Sequence, residues 1–238
     1  MTNSIIAWGD SILKGVVSGG DSKRFDITDN DSLSQACRAL GIELTNKSVF
    51  GSWMTKTRRA QDRSIRAGNI AQMAIIESGT NDCDYDWTAV SQNPDGDHLQ
   101  RCPLDEFKKL MQEAVEVCRQ NKITPVIMIP TPLVPEWWFN NICIGNDASA
   151  IKKFVERKYE LSGAAALRLY QNQELYSLVA ANIARALNVQ IVDIRSEFLA
   201  HPNYKSLMCL DGVHPNQAGY DFMAEIWKRE IPGLRVEF

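Results

Sequence analysis

Ile5-Ile6-Ala7-Trp8-Gly9-Asp10-Ser11 is the stretch that organises the chain. Four apolar residues running into a glycine, an acid and a serine read as a buried strand that carries a hydroxyl to the edge of a sheet. A serine hydroxyl does no chemistry at neutral pH without a base to take its proton, and the base needs a third group to hold its tautomer. Partners for Ser11 therefore have to come from the rest of the sequence.

Further short apolar runs follow at Ile42 to Phe50, Met73 to Ile76, Pro125 to Ile129 and Val189 to Ile194. Helical patterns lie between them. Leu33, Ala36, Cys37 and Leu40 form a stripe over Ser32 to Leu40, closed by Gly41. Thr55 to Ala67 reads as a solvated helix or a partly irregular connection, and its basic run Lys56-Thr57-Arg58-Arg59 could hold an anion, a solvated face being the plainer reading. Leu104 to Cys118 is regularly amphipathic. Lys152 to Leu161 and Ala164 to Leu187 read as helices, the second with Leu167, Tyr170, Leu175, Leu178 and Ile183 available for burial. The last helix starts near Pro215 and buries Phe222, Met223, Ile226 and Trp227. Five strands alternating with helices predict an α/β fold, a parallel sheet with helices on both faces, in one domain over 1–238. Two segments, 83–103 and 131–150, lack periodicity and are expected as loop insertions.

Bulk properties narrow the function classes. The 238 residues are 45% hydrophobic, with 26 basic and 29 acidic residues and a net charge of -3. Charge so well mixed gives no footprint for nucleic acid or an anionic membrane surface. The expected partner is a small-molecule substrate, and a homo-oligomer is left open. No run reaches the roughly 18 to 20 apolar residues of a membrane span, and the first strand begins too early for a signal peptide, so a cytoplasmic location is expected. Six cysteines lack metal-ligand spacing, so neither a zinc site nor any other metal or cofactor is expected. Cys83 and Cys102 flank one polar segment, with free thiols the expected state.

The chain has three histidines, His98, His201 and His214. His201 and His214 share the tripeptide His-Pro-Asn, and a carboxylate separates them: Asp211 lies three residues before His214, within reach of its Nδ1 in one turn. Ser11, Asp211 and His214 are the candidate catalytic residues. Gly51 and the run Gly79-Thr80-Asn81-Asp82 follow other strands and should meet Ser11 at the carboxyl edge of the sheet, where ligands of such sheets gather. Asp10 is a helix cap or a direct participant. Asp82 is expected to brace its turn, and the acids between 82 and 97 are expected to be solvated rather than a calcium loop. His98 reads as a surface residue. Trp137 and Trp138 suit either a pocket floor or simple packing.

Gly9-Asp10-Ser11, Gly51, Gly79-Thr80-Asn81-Asp82 and Asp211-Gly212-Val213-His214-Pro215 together resemble the four blocks of the SGNH hydrolases, the GDSL esterase and lipase superfamily. The resemblance extends over nearly the whole chain. It implies a flavodoxin-like α/β/α sandwich around a five-stranded parallel sheet. It also implies Ser11 as nucleophile, His214 as base and then acid, Asp211 as its orienting carboxylate, and an oxyanion hole of the Ser11 and Gly51 backbone N–H groups with the Asn81 side-chain amide. Two departures stand out: Asn46-Lys47-Ser48 where the family reads Asn-x-Gly, which bears on the loop carrying Gly51, and Ile12 where the namesake motif has leucine. The expected function is a serine esterase acting through an acyl-enzyme on a short acyl group, acetyl above all, carried by a carbohydrate or other small polar alcohol. A lysophospholipase or thioesterase is the rival within the family. A catalytically inactive carbohydrate-binding or scaffold protein is the rival outside catalysis.

Overall fold

The computed structural model describes residues 2–19, 24–159 and 163–238. Part of the loop that the sequence marks by Gly15, Gly19 and Gly20 and that runs through Asp21 to Asn30, and the expected helix end at Leu161, lie outside them. The strands are β1 (Ser4–Trp8), β2 (Val16–Ser18), β3 (Phe25–Ile27), β4 (Glu43–Asn46), β5 (Met73–Ile76), β6 (Thr124–Ile129) and β7 (Gln190–Asp193). The helices are α1 (Ser11–Lys14), α2 (Ser32–Leu40), α3 (Met54–Arg66), α4 (Trp87–Gln92), α5 (Leu104–Gln120), α6 (Pro135–Ile142), α7 (Ala148–Tyr159), α8 (Ala165–Ala186), α9 (Ile194–Ala200) and α10 (Gln217–Glu230).

Five strands form the central sheet in the order β4-β1-β5-β6-β7, every pairing parallel. Side chains alternate across it. Ile5, Ala7, Met73, Ile75, Val126 and Met128 face a core shared with α2, α9 and α10, whereas Ile6, Trp8, Ala74, Ile76, Ile127 and Ile129 face one shared with α3, α5 and α8. Burial on both faces explains why these strands read as continuous apolar runs rather than alternating ones. The architecture is the expected three-layer sandwich.

Several elements differ from expectation. Residues 12–17, apolar enough to suggest a helix or a turn against the core, instead form most of α1 and the start of β2, which pairs antiparallel with β3 in a hairpin outside the main sheet. The second strand is shorter than Ile42 to Phe50, because Lys47 to Gly51 turns away to carry the site. On α8, Leu167, Leu175 and Leu178 are exposed. That helix instead packs through Leu169, Tyr176, Ala180, Ile183 and Ala184 with buried Asn172, Gln173 and Ser177, a face of small and polar residues set by its neighbours. Phe222 is only partly buried.

The two expected loop insertions are not structureless. Each holds a short helix, α4 capped by the Asp86 side chain and α6 begun by Pro135, and with α7 and α8 they bury Tyr85, Trp87, Val90, Ile142, Phe154 and Leu169 in a core of their own. Tyr85 and Tyr159 close it with a hydroxyl–hydroxyl hydrogen bond of 2.8 Å. Helices of six and eight residues are too short to display a period, so only tertiary contact reveals them.

Candidate active site

β1 ends at Trp8, and Gly9-Asp10 carries the chain into α1 with Ser11 as its first residue. A side chain on Gly9 would come within 2.7 Å of Glu77 Oε2, so the close passage past β5 requires glycine. Asp10 caps α1 by accepting the Ile12 N–H at 2.8 Å. Its other oxygen accepts from the Asn81 amide at 2.8 Å. The cap and the link to Asn81 are thus made by one side chain.

Two hundred residues later the chain turns tightly at Asp211-Gly212-Val213-His214. Asp211 Oδ1 accepts the backbone N–H groups of Val213 (2.9 Å) and His214 (3.1 Å), and Oδ2 lies 2.6 Å from His214 Nδ1. His214 Nε2 is 2.8 Å from Ser11 Oγ. Gly212 has φ +76°, and a Cβ there would stand 2.5 Å from the Trp138 backbone nitrogen. The first turn of α6 therefore seals this turn, and Val134 N–H donates to the Gly212 carbonyl at 2.9 Å. Burial alone would raise the Asp211 carboxyl, but the hydrogen bond and charge of His214 and the two backbone donors outweigh it and hold the group below its ordinary value.

The third strand-end block supplies Asn81 and Asp82. Asp82 is fully buried and accepts from Met54 N–H (2.7 Å), Ser78 hydroxyl (2.6 Å) and Gly79 N–H (2.8 Å), so it braces its own turn and the start of α3. Burial pushes its carboxyl up to about 6 against those bonds. Behind Asp10 stands Glu77, also fully buried, which accepts the Asp10 N–H at 2.9 Å. Burial first and the Asp10 charge second drive Glu77 well above the usual carboxylate range. Glu77 carries no motif signal in the sequence.

Ser11, Gly51, Asn81, Asp211 and His214 all line one cleft of about 450 Å³. Gly51 has φ +62° with open space where a Cβ would stand, so its conformation and not a steric approach calls for glycine. Asn46 ties its loop down by donating to the Leu13 carbonyl and accepting the Ser48 N–H, so Ser48 is accommodated without displacing Gly51 from the cleft. Such a cleft places a hydroxyl, an imidazole and a buried carboxylate in one hydrogen-bonded line, beside a side-chain amide held by a carboxylate. That arrangement can pass a proton from the hydroxyl to the imidazole and offer donors to a developing oxyanion.

The model of the GDSL-like Lipase/Acylhydrolase family matches residues 7–222. The chain belongs to this family. Membership in the GDSL-like lipases and acylhydrolases makes it a carboxylic ester hydrolase. Solved structures agree in fold. A lipase/acylhydrolase from Enterococcus faecalis superposes with a TM-score of 0.67 at 15% identity, covering 99% of this chain and 98% of that one. The acetyl xylan esterase AlAXEase gives 0.63 at 18% identity over 96% and 99%. A catalytic mutant of Axe2, an acetylxylan esterase from Geobacillus stearothermophilus, gives 0.61 at 18% identity over 96% and 94%. No curated protein matches the sequence.

The other sequence expectations divide. His201 lies outside the cleft, its ring against Phe222 and its Nδ1 accepting from Asn203 N–H. His98 is half-buried rather than superficial, edge-on to Phe154. Trp138 reaches the cleft, whereas Trp137 packs on the core. All six cysteines are free, Cys83 and Cys102 included. Among the described residues no group of three acids, histidines or cysteines is placed to hold a metal ion, and no helix is long and apolar enough to cross a membrane.

Sequence reading missed the aromatic rim. Phe25 stands edge-on to the His214 ring at 5.5 Å, Phe50 stacks near it at 6.3 Å and 12°, and the two phenyl rings meet at 5.2 Å. Trp53, Arg101 and Asn141 complete the walls. The available signal was an aromatic residue isolated in a polar segment, as Phe25 is, or set directly beside a block glycine, as Phe50 is beside Gly51.

Proposed function

We propose that the chain is a serine esterase that removes a short acyl group, acetyl above all, from a polar alcohol such as a sugar. The line Ser11 Oγ, His214 Nε2, His214 Nδ1, Asp211 Oδ2, with spacings of 2.8 and 2.6 Å at its two contacts, is the observation that carries this reading. His214 takes the Ser11 proton as Oγ attacks the ester carbonyl, and Asp211 holds the imidazolium that results. The oxyanion that develops receives the Ser11 and Gly51 backbone N–H groups and the Asn81 amide. With one N–H of Asn81 committed to Asp10, the amide is oriented before substrate arrives, so no reorganisation is needed at the transition state. His214 then gives its proton to the departing alkoxide, leaving the acyl group on Ser11. A water deprotonated by His214 attacks that acyl-enzyme and frees the acid.

The space beside Asn81 supports a short acyl group. A side pocket of about 30 Å³ shares Asn81, Trp138 and Val213 with the cleft and is closed by Leu133, Leu169 and Cys83. That is room for a methyl-sized group rather than a chain. Two fold relatives whose names specify acetyl xylan esters support the same choice. A second reading, a lysophospholipase or thioesterase, is favoured by one feature: an apolar groove of about 210 Å³ formed by Val16, Phe25, Ile27 and Phe50 adjoins the cleft. A fluorophosphonate probe should label the wild type at Ser11 and leave Ser11→Ala unlabelled. Turnover measured across acetyl, butyryl and octanoyl esters and acetylated oligosaccharides should fall with chain length. Fastest turnover on octanoyl esters selects the second reading, and an unlabelled Ser11 in a folded protein removes both.

A further inference from the structure

The basic run in α3 separates on folding. Arg58 is spent on Gln61 (2.6 Å) and Asp62 (3.0 Å), Arg59 faces solvent, and Lys56 lines the cleft. The Lys56 ammonium sits 3.6 Å over the centre of the Trp53 ring, and the Arg101 guanidinium stands 5.6 Å from the same ring. Cation–π attraction thus holds two positive groups on one aromatic wall.

Three observations mark this wall as more than a solvated face. Among the described residues, and apart from His214, three ionisable side chains line the cleft, Lys56, Arg101 and the buried Asp211 bonded to His214, although the chain as a whole carries a net charge of -3. Lys56 makes no ion pair among the described residues, and Arg101 shares its charge only with Asp84 at 3.8 Å. Asp84 pairs with Arg101 and Asp211 is bonded to His214, so Lys56 is the cleft cation without a carboxylate partner among the described residues. Finally, Lys56 lies in the first turn of α3, which has no acidic residue. A cation there opposes the helix dipole, so helix stability does not explain it.

We infer that the alcohol part of the substrate carries a carboxylate, which Lys56 and Arg101 engage at the Trp53 wall while the acyl group enters the side pocket beside Asn81. The inference rests on the short-acyl esterase reading, which assigns the small pocket to the acyl group and leaves the open cleft to the alcohol. Arg101 offers planar paired donors suited to a carboxylate, and Lys56 adds a cation with no ion pair among the described residues.

The test compares an acetylated hexuronic acid with the acetylated hexose bearing acetyl at the same position, using the full chain. The acid is expected to have about ten-fold higher kcat/KM at low salt, mainly through KM, as two partly exposed ion contacts predict. The preference should shrink at 0.5 M salt as the charges are screened. The double substitution Lys56→Met and Arg101→Met should bring the acid-to-neutral ratio close to one, and Lys56→Glu should lower it further. Binding of the free uronic acid and hexose to Ser11→Ala, read by tryptophan fluorescence, supplies a measure independent of turnover. Equal kcat/KM for the two esters, or a preference that survives the double substitution, overturns the inference. Absence of turnover on both esters with the salt-sensitive binding preference intact overturns the esterase reading and leaves the anion site standing.

Discussion

At the floor of the cleft Ser11, Asp211 and His214 are 4%, 1% and 6% exposed, and each is joined to the next by a hydrogen bond. At the rim Phe25 and Phe50 are 40% and 49% exposed, and Lys56 is held over Trp53 by a cation–π contact rather than an ion pair. A floor of buried polar atoms is rigid because any displacement strands a donor or acceptor away from water. The rim has no such penalty. The proposed function gives the chemistry of the reaction to the floor and the choice of substrate to the rim, so on that reading substitutions in the two regions should separate kcat from KM.

Ser11→Ala and His214→Ala should each reduce kcat roughly 10⁴-fold or more, since groups acting as a unit fail together. Rapid-mix kinetics on an activated acetyl ester read this, and a residual rate near wild type would remove Ser11 from the reaction. Asn81→Ala comes next: losing one preorganised oxyanion donor should cost about 10²- to 10³-fold in kcat with KM little changed. A KM effect without a kcat effect would make Asn81 a ground-state contact instead.

Asp84 stands behind the rim, pairing with Arg101 and accepting from the Trp87 indole at 2.6 Å. Burial pushes its carboxyl up to about 6, despite the Arg101 charge. A carboxyl raised on folding favours the folded state fully below the unfolded value near 3.8, and that contribution is lost as pH rises through about 6. Asp84→Asn removes the penalty and keeps the acceptor for Trp87. Its stability relative to wild type should therefore improve between pH 4 and pH 8, by roughly 2 to 3 kcal/mol. Urea melts at several pH values measure it, and a constant offset would refute the assignment.

The smallest effect is expected at the rim. Phe25→Ala removes an exposed ring beside His214 and should raise KM a few-fold while leaving kcat within about two-fold, because it deletes apolar contact area and no hydrogen bond. A kcat loss as large as that of Asn81→Ala would abolish the distinction between floor and rim.

Much of this was legible in the chain. The buried strands announce themselves as apolar runs because both faces of a parallel sheet are covered, and the blocks at their ends stand out because glycine and acid follow such runs abruptly. The spacing of Asp211 and His214 is local, so one turn suffices to pair them. Helix α8 shows the opposite case. Its leucines suggest a buried stripe, yet Leu167, Leu175 and Leu178 face outward, because the sheet and its neighbouring helices take up the small residues instead. Glu77 likewise carries no pattern, since its importance lies in what stands opposite it.

Ser11, Gly51 and Asn81 could be picked out by residue type and by position after a strand, and Asp211 and His214 by their three-residue spacing, all properties of the chain alone. That Asp10 holds Asn81, that Gly212 seals against the first turn of α6, and that Lys56 and Arg101 share the face of Trp53 were decided only by folding. Local geometry and solvent exclusion leave periodic marks in a sequence. Contacts between residues 45 to 74 positions apart do not, because their free energy depends on a distance that exists only after the sheet has assembled.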